Sequence, residues 1–335
     1  MLAPERLDIS AKITSPHDRL PVLLWTAAII LTTAAACLRP QDLLPAARAT
    51  LEPFATLAAI IAGSVLAGRL GVFRVLAGLL IRDRVPRPLA AASMLAFTGL
   101  LSGLVNLDVA VLVALPVALE AARRHGLSAG RLSVAVAITA NAASFLLPTS
   151  NITSLLLLGR TPLSALAYLR GSWLAWLLVL TITIGSLTGW LAPAGTGTAR
   201  GCGAGPSGRA ALDLIPLFAA ASAIRAILTA GITLPGGLTA QLTIAAAVAC
   251  ALNNLPAAAA LHAAGPAGLW AAILATAIGP GLLLSGSIAT LICRRVARDA
   301  GAGFSARQFT AIGCVLVPAQ LAVAVIGLHL AGALR

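Results

Sequence analysis

One acidic residue stands where chemistry is expected. Asp108 is the only acid placed deep within the apolar segments; Glu120 and Asp213 fall near segment ends, and Ala226 to Cys293 holds no Asp, Glu, Lys or Arg. A carboxyl group at membrane depth is costly and is functional by default. Because its charged form is the expensive one, Asp108 is expected to take up and release a proton as its surroundings alternate between dry and wet. It also directly precedes Val109, where it would cap a helix. The two roles are compatible.

A second set is neutral and polar. Asn141, Ser144, Ser150, Asn151, Asn253, Asn254, Ser285 and Ser287 flank breaks in apolar runs, with Gly279 and Gly286 inside the breaks. A broken helix frees backbone N–H and C=O groups that only protein or a wet cavity can satisfy. Those groups, with the neighbouring amides and hydroxyls, suit a small hydroxylated or ionic ligand near the bilayer midplane. The same side chains also serve to satisfy the breaks or to hold helices together.

Other reactive residues read as structure. Cys37, Cys202, Cys250, Cys293 and Cys314 form no C-x-x-C pair, so they are expected to be small buried hydrophobes, with no metal or cofactor. His262 is read as a packing residue, and Arg225 as snorkelling or pairing with Asp213. Asn151-Ile152-Thr153 lies in an apolar run, so glycosylation is not expected. The chain has no P-loop or nucleophile elbow, and an enzyme or ATPase is not expected.

The elements that must position these residues are membrane helices. Of the 335 residues, 59% are hydrophobic and 10% charged, with a mean hydropathy of +0.97. That excludes a soluble enzyme, a coiled coil and a disordered chain. The net charge of +13 with 4% aromatics fits basic cytoplasmic loops rather than nucleic-acid binding. Apolar runs predict spans at 20–38, 51–68, 171–191, 210–231 and 309–334, with a short loop at 39–50. Broken spans are expected at 132–158 and 267–293, and polar-tipped pairs at 89–122 and 238–264. Five arginines between 69 and 87, with Leu70, Phe73, Leu76 and Leu80 at helical spacing, predict an interfacial amphipathic helix.

The halves on either side of the Gly/Pro-rich stretch 193–209 share one order: span, polar-tipped pair, broken span, span. That order predicts an all-α polytopic fold of two inverted repeats, each with a re-entrant hairpin and a discontinuous helix. The expected divisions are a cytoplasmic segment 1–19, an extra helix 20–38, a first repeat 51–192, a cytoplasmic linker 193–209 and a second repeat 210–335. Hairpins place 17 of the 23 Lys and Arg inside and 5 outside, with Arg225 in the membrane. Pairs that cross once give a weaker split of 14 against 8. The stronger asymmetry favours hairpins and a cytoplasmic N-terminus in the plasma membrane.

These segments resemble the arsenical pump membrane protein family, the arsenite and antimonite permeases of the ion transporter superfamily. Asp108 and Pro116 keep the spacing of that family's first hairpin. Ala140-Asn141-Ala142-Ala143-Ser144-Phe145-Leu146-Leu147 followed by Ser150-Asn151 is similar to its first broken helix. Asn253-Asn254-Leu255-Pro256 is similar to the second hairpin, and Gly279-Pro280-Gly281-Leu282 with Gly286-Ser287-Ile288-Ala289-Thr290 to the second broken helix. Leu107, Asn141 and Gly281 stand where the family has Asn, an acid and Asn. The chain is also shorter, without one early helix and the second interfacial arm.

The resemblance implies efflux of arsenite, antimonite or another small oxyanion in exchange for protons. A homodimer and a separate ATPase subunit stay open as partners. The alternative is a sodium- or proton-coupled carrier of a small anion of dicarboxylate type, since Ser150-Asn151-Ile152-Thr153 resembles that group's sodium loop. A transport-inactive membrane scaffold or sensor is the third reading.

Overall fold

The computed structural model describes residues 19–72, 75, 78, 79, 85–158, 161, 163–192, 214–228, 231–262 and 265–334. The expected cytoplasmic segment 1–19 and the linker 193–209 lie almost wholly outside these residues, and about half of the amphipathic segment 69–87 lies outside them.

Three helices form one group: α1 (Arg19–Leu38), α2 (Pro40–Arg69) and α8 (Leu214–Ile227). The short loop expected at 39–50 is instead helical, because α2 begins at Pro40. Proline fits the first helical position, where its missing N–H would have no partner. Asp42 in the first turn lies 3.9 Å from the Arg39 guanidinium and faces the positive end of the helix dipole. At 30 residues, α2 is about 45 Å long and outreaches the hydrocarbon core. Ala35, Ala46, Ala223 and Ala226 allow close helix approach, and Thr50 Oγ1 lies 2.7 Å from Ser222 Oγ, tying α2 to α8.

The first polar-tipped pair is α3 (Arg87–Leu104) and α4 (Leu107–His125). Asn106 caps α4, its side-chain oxygen accepting from the Asp108 N–H at 2.9 Å. Gly126 ends it at φ 64°, a conformation glycine adopts without Cβ strain. Arg87 Nε donates to the His125 carbonyl at 3.0 Å, so the chain enters and leaves the pair at the same end. Glu120 accepts from Arg123 and Arg124 at 2.6–3.1 Å, which makes it a structural acid. Helix α5 (Ala129–Ala142) then breaks over residues 143–151, with a 3₁₀ turn at Pro148–Ser150, and resumes as α6 (Ile152–Leu158). The next helix, α7 (Ala165–Leu191), satisfies the freed carbonyls. Tyr168 Oη donates to Phe145 at 3.1 Å, Ser172 Oγ to Leu146 at 2.7 Å and Trp176 Nε1 to Ala143 at 2.9 Å.

After α8 comes a strand of two residues, β1 (Ile232–Thr233), then α9 (Leu238–Leu252), α10 (Asn254–Ala260) and β2 (Leu261–His262). The strands pair in parallel, Ile232 with Leu261 and Thr233 with His262. The second polar-tipped pair therefore also folds back on itself. Helix α11 (Gly265–Ile278) breaks through 3₁₀ turns at Gly279–Gly281 and Leu284–Gly286 and resumes as α12 (Ile288–Asp299); α13 (Ala306–Leu330) ends the order.

The halves interlock. Helix α4 packs on α12 of the other half, and α10 packs on α6; α2 touches α4 as α8 touches α10, and α7 packs on α13. The core lies around α5 and α11, which are buried over most of their length. Arg87–Leu104, Ala165–Leu191 and Ala306–Leu330 are the described helices long and apolar enough to cross a bilayer unaided. The chain is an all-α polytopic membrane protein.

Candidate functional site

The two hairpin tips and the two helix breaks meet. Asn106 Nδ2 donates to the Thr149 carbonyl at 3.2 Å, tying the first tip to the first break. Asn253 Nδ2 donates to the Ser285 carbonyl at 2.8 Å, tying the second tip to the second break. Each break ends the same way, with a 3₁₀ turn and one extended residue before the resumed helix. Asn151 has φ −146°, ψ 130° and Ser287 φ −143°, ψ 137°.

Between these four parts lies a narrow cavity of about 30 Å³, lined in part by Asp108, Asn151, Asn254 and Ser287. Its other walls come from Leu107, Ile152, Thr153, Leu255, Ile288 and Ala289. Every lining residue sits at the start of a helix: α4 opens at Leu107, α6 at Ile152, α10 at Asn254 and α12 at Ile288. Four helix N-termini therefore border the cavity, each carrying the positive end of its helix dipole. Three are capped by asparagine, with the N–H groups of Asp108, Thr153 and Leu255 donating to Asn106, Asn151 and Asn253. The wall holds no Lys or Arg, and its one ionisable group is the Asp108 carboxyl.

The polar residues expected at the site divide into two groups. Asp108, Asn151, Asn254 and Ser287 reach the cavity. Asn141 and Ser144 lie behind it in a buried relay. Asn141 Nδ2 donates to Thr290 Oγ1 at 2.9 Å, Ser144 Oγ to the Asn141 carbonyl at 2.8 Å, and Asn151 Nδ2 to Ser144 Oγ at 3.0 Å. This relay holds α12 to the first break. Ser150 Oγ donates to the Leu147 carbonyl at 2.6 Å and closes its own turn. Asn253 and Ser285 pair with each other behind the tip. Gly279 and Gly286 are packing residues. A Cβ on Gly286 would come within 2.8 Å of Pro280 Cα, and one on Gly279 within 3.3 Å of Ala246 Cβ.

Thr153 was not among the expected site residues, yet it lines the cavity. Its position two residues after Asn151, at the start of a resumed helix, was the available signal. Thr153 Oγ1, Ser287 Oγ and Asn141 Oδ1 are buried without a hydrogen-bond partner among the described residues. Unsatisfied buried polar groups cost about 1–3 kcal/mol each. Thr153 and Ser287, in the cavity wall, thus hold donor and acceptor capacity for a ligand. Among the described residues no group of His, Cys, Asp or Glu could hold a metal ion.

No curated protein matches the chain. The profile of the citrate transporter family matches residues 13–213, more than half of the sequence and the half that carries Asp108, Asn151 and Thr153. The chain belongs to the citrate transporter family, whose members are membrane-embedded secondary transporters.

Proposed function

We propose that the chain carries a small carboxylate anion of citrate type across the membrane by alternating access, together with protons bound at Asp108. The observation that carries this reading is the convergence of four helix N-termini on one cavity. Such a site favours negative charge, and a neutral trihydroxide such as arsenite would gain little from it. The family match points the same way, to citrate-type anions rather than arsenite.

Asp108 sets the coupling. An ionised carboxylate and an anionic substrate repel one another in one small cavity of low dielectric. The anion therefore enters with a proton on Asp108, and both leave on the other side, which makes the carrier a symporter. The two halves act as inverted repeats, with the hairpins entering from opposite faces. The matched tips and breaks, and the reciprocal packing of α4 on α12 and α10 on α6, support that arrangement.

A specific observation favours a second coupling ion. The Asp108 carboxyl and the unpartnered Thr153 and Ser287 hydroxyls line the same cavity, and oxygen groups of this kind are the ligands of hard cations such as sodium.

The test is uptake of labelled citrate, succinate and arsenite into proteoliposomes under a pH gradient or a sodium gradient. Citrate-type uptake driven by the pH gradient is expected, with its loss in Asp108→Asn despite normal insertion. Arsenite movement alone would overturn the anion reading. Uptake that needs sodium, not a pH gradient, would transfer the coupling role to the cation.

A further inference from the structure

A second cleft lies away from the central cavity, where α2, the end of α8 and the α10–β2 junction meet. It has about 320 Å³ of space. Its polar wall is Asp42, Arg225 and His262, and its apolar wall includes Pro45, Leu228 and Ala259. The sequence reads Arg225 as snorkelling or pairing with Asp213, and Asp213 lies outside the described residues. Arg225 Nη1 is buried without a hydrogen-bond partner among the described residues. His262, expected to be a packing residue, is exposed in β2. Gly231 lies against its ring at φ 70°, and a Cβ there would collide with the imidazole.

We propose that this cleft is a second anion site, in which the Arg225 guanidinium binds a carboxylate group of the transported anion. In taking a carboxylate as ligand, the site rests on the anion-carrier reading. A guanidinium nitrogen removed from water and left unpaired is costly, and a carboxylate is its best-matched partner through paired N–H···O bonds. The charges around the cleft favour an anion. Asp42 has its own cation in Arg39 at 3.9 Å, Arg48 further along α2 is exposed, and among the described residues Arg225 is the positive charge in the cleft wall. The His262 imidazole adds a hydrogen-bonding group at the rim.

The location gives the site a role. The far end of α10 opens the central cavity at Asn254, and α10 spans 7 residues, about 10 Å. The second hairpin thus carries the central cavity at its tip and this cleft at its base. An anion held at Arg225 is one short helix away from the transport site, which makes the cleft a station on its entry or exit path.

Thiol modification tests this on the full chain in nanodiscs, with the five native cysteines replaced and one introduced by Pro45→Cys, or by Leu228→Cys if the first variant unfolds. An anionic methanethiosulfonate should react about tenfold faster than a cationic one at low salt, the low end of electrostatic steering. Arg225→Gln should erase that preference, Arg225→Lys should keep most of it, and Asp42→Asn should enlarge it. Citrate or succinate should slow the anionic reagent. A preference that survives Arg225→Gln, or no protection by either carboxylate, overturns the site. Protection without carboxylate transport in proteoliposomes leaves the site standing and removes the carrier reading instead.

Discussion

At the scale of the residue, Asn253 and Ser287 occupy opposite situations. Asn253 has φ 75° and ψ 152°, a region that glycine tolerates and other residues enter at about 1–3 kcal/mol. Its side chain holds it there by bonding Ser285. Asn253→Ala keeps the strain and loses the tie, so it should lower the apparent melting temperature in detergent. Asn253→Gly relieves the strain and should recover much of that loss. Equal melting of the two variants would mean that the backbone conformation contributes nothing. Ser287 is buried with an unpartnered hydroxyl in the cavity wall. Ser287→Ala should leave stability unchanged or slightly improved, because a buried unsatisfied group is removed. If the hydroxyl binds substrate, KM should rise about tenfold, the scale of one hydrogen bond to a charged group. A clear fall in melting temperature with unchanged KM would assign Ser287 to the fold. These two residues look alike in sequence, both polar and both beside a break. Which one faces the cavity depends on how the tips dock.

At the scale of the element, the breaks survive because other helices satisfy them. The first is served by Tyr168, Ser172 and Trp176 of α7. The second depends on close approach: Cys250 Sγ donates to the Gly279 carbonyl at 3.2 Å, and a Cβ on Gly313 of α13 would collide with the Gly281 carbonyl. That contact is backbone against backbone and cannot relax through a side chain. Gly313→Val should therefore displace the 279–281 turn, reduce transport strongly and lower the melting temperature, whereas Gly185→Val on α7, where a Cβ meets nothing within 4 Å, should do neither. Full transport by Gly313→Val would show that the turn is free to shift. The breaks themselves were legible from Pro148, Gly279 and Pro280, which interrupt helical hydrogen bonding. The partners that rescue them were not, since Trp176 and Gly313 are ordinary members of apolar helices.

At the scale of the whole molecule, the fold-back pairs bear on the orientation of the chain. Arg87 and His125 meet at the base of the first pair, so single cysteines at 87 and 126 should react with an impermeant reagent from the same face of the membrane. If the halves are inverted, a cysteine at 236, beside the base of the second pair, should react only from the opposite face. Labelling of 236 and 126 from one face would reject the inversion while leaving the cavity intact. The sequence by itself determined the membrane class, the order of apolar segments and the position of each break, because hydrophobic run length and Gly, Pro and Asn interruptions act locally. It also marked Asp108, since a lone acid in an apolar run is costly wherever the chain folds. It misread 39–50 as a loop because the helix start at Pro40 is a local signal that polarity masked. Only the tertiary structure decided which polar groups share the cavity, that four helix N-termini converge there, and that Arg225 faces a separate cleft. Those outcomes depend on α4 packing on α12 and α10 on α6. Such contacts join segments about a hundred residues or more apart, and helical periodicity within one segment carries no information about them.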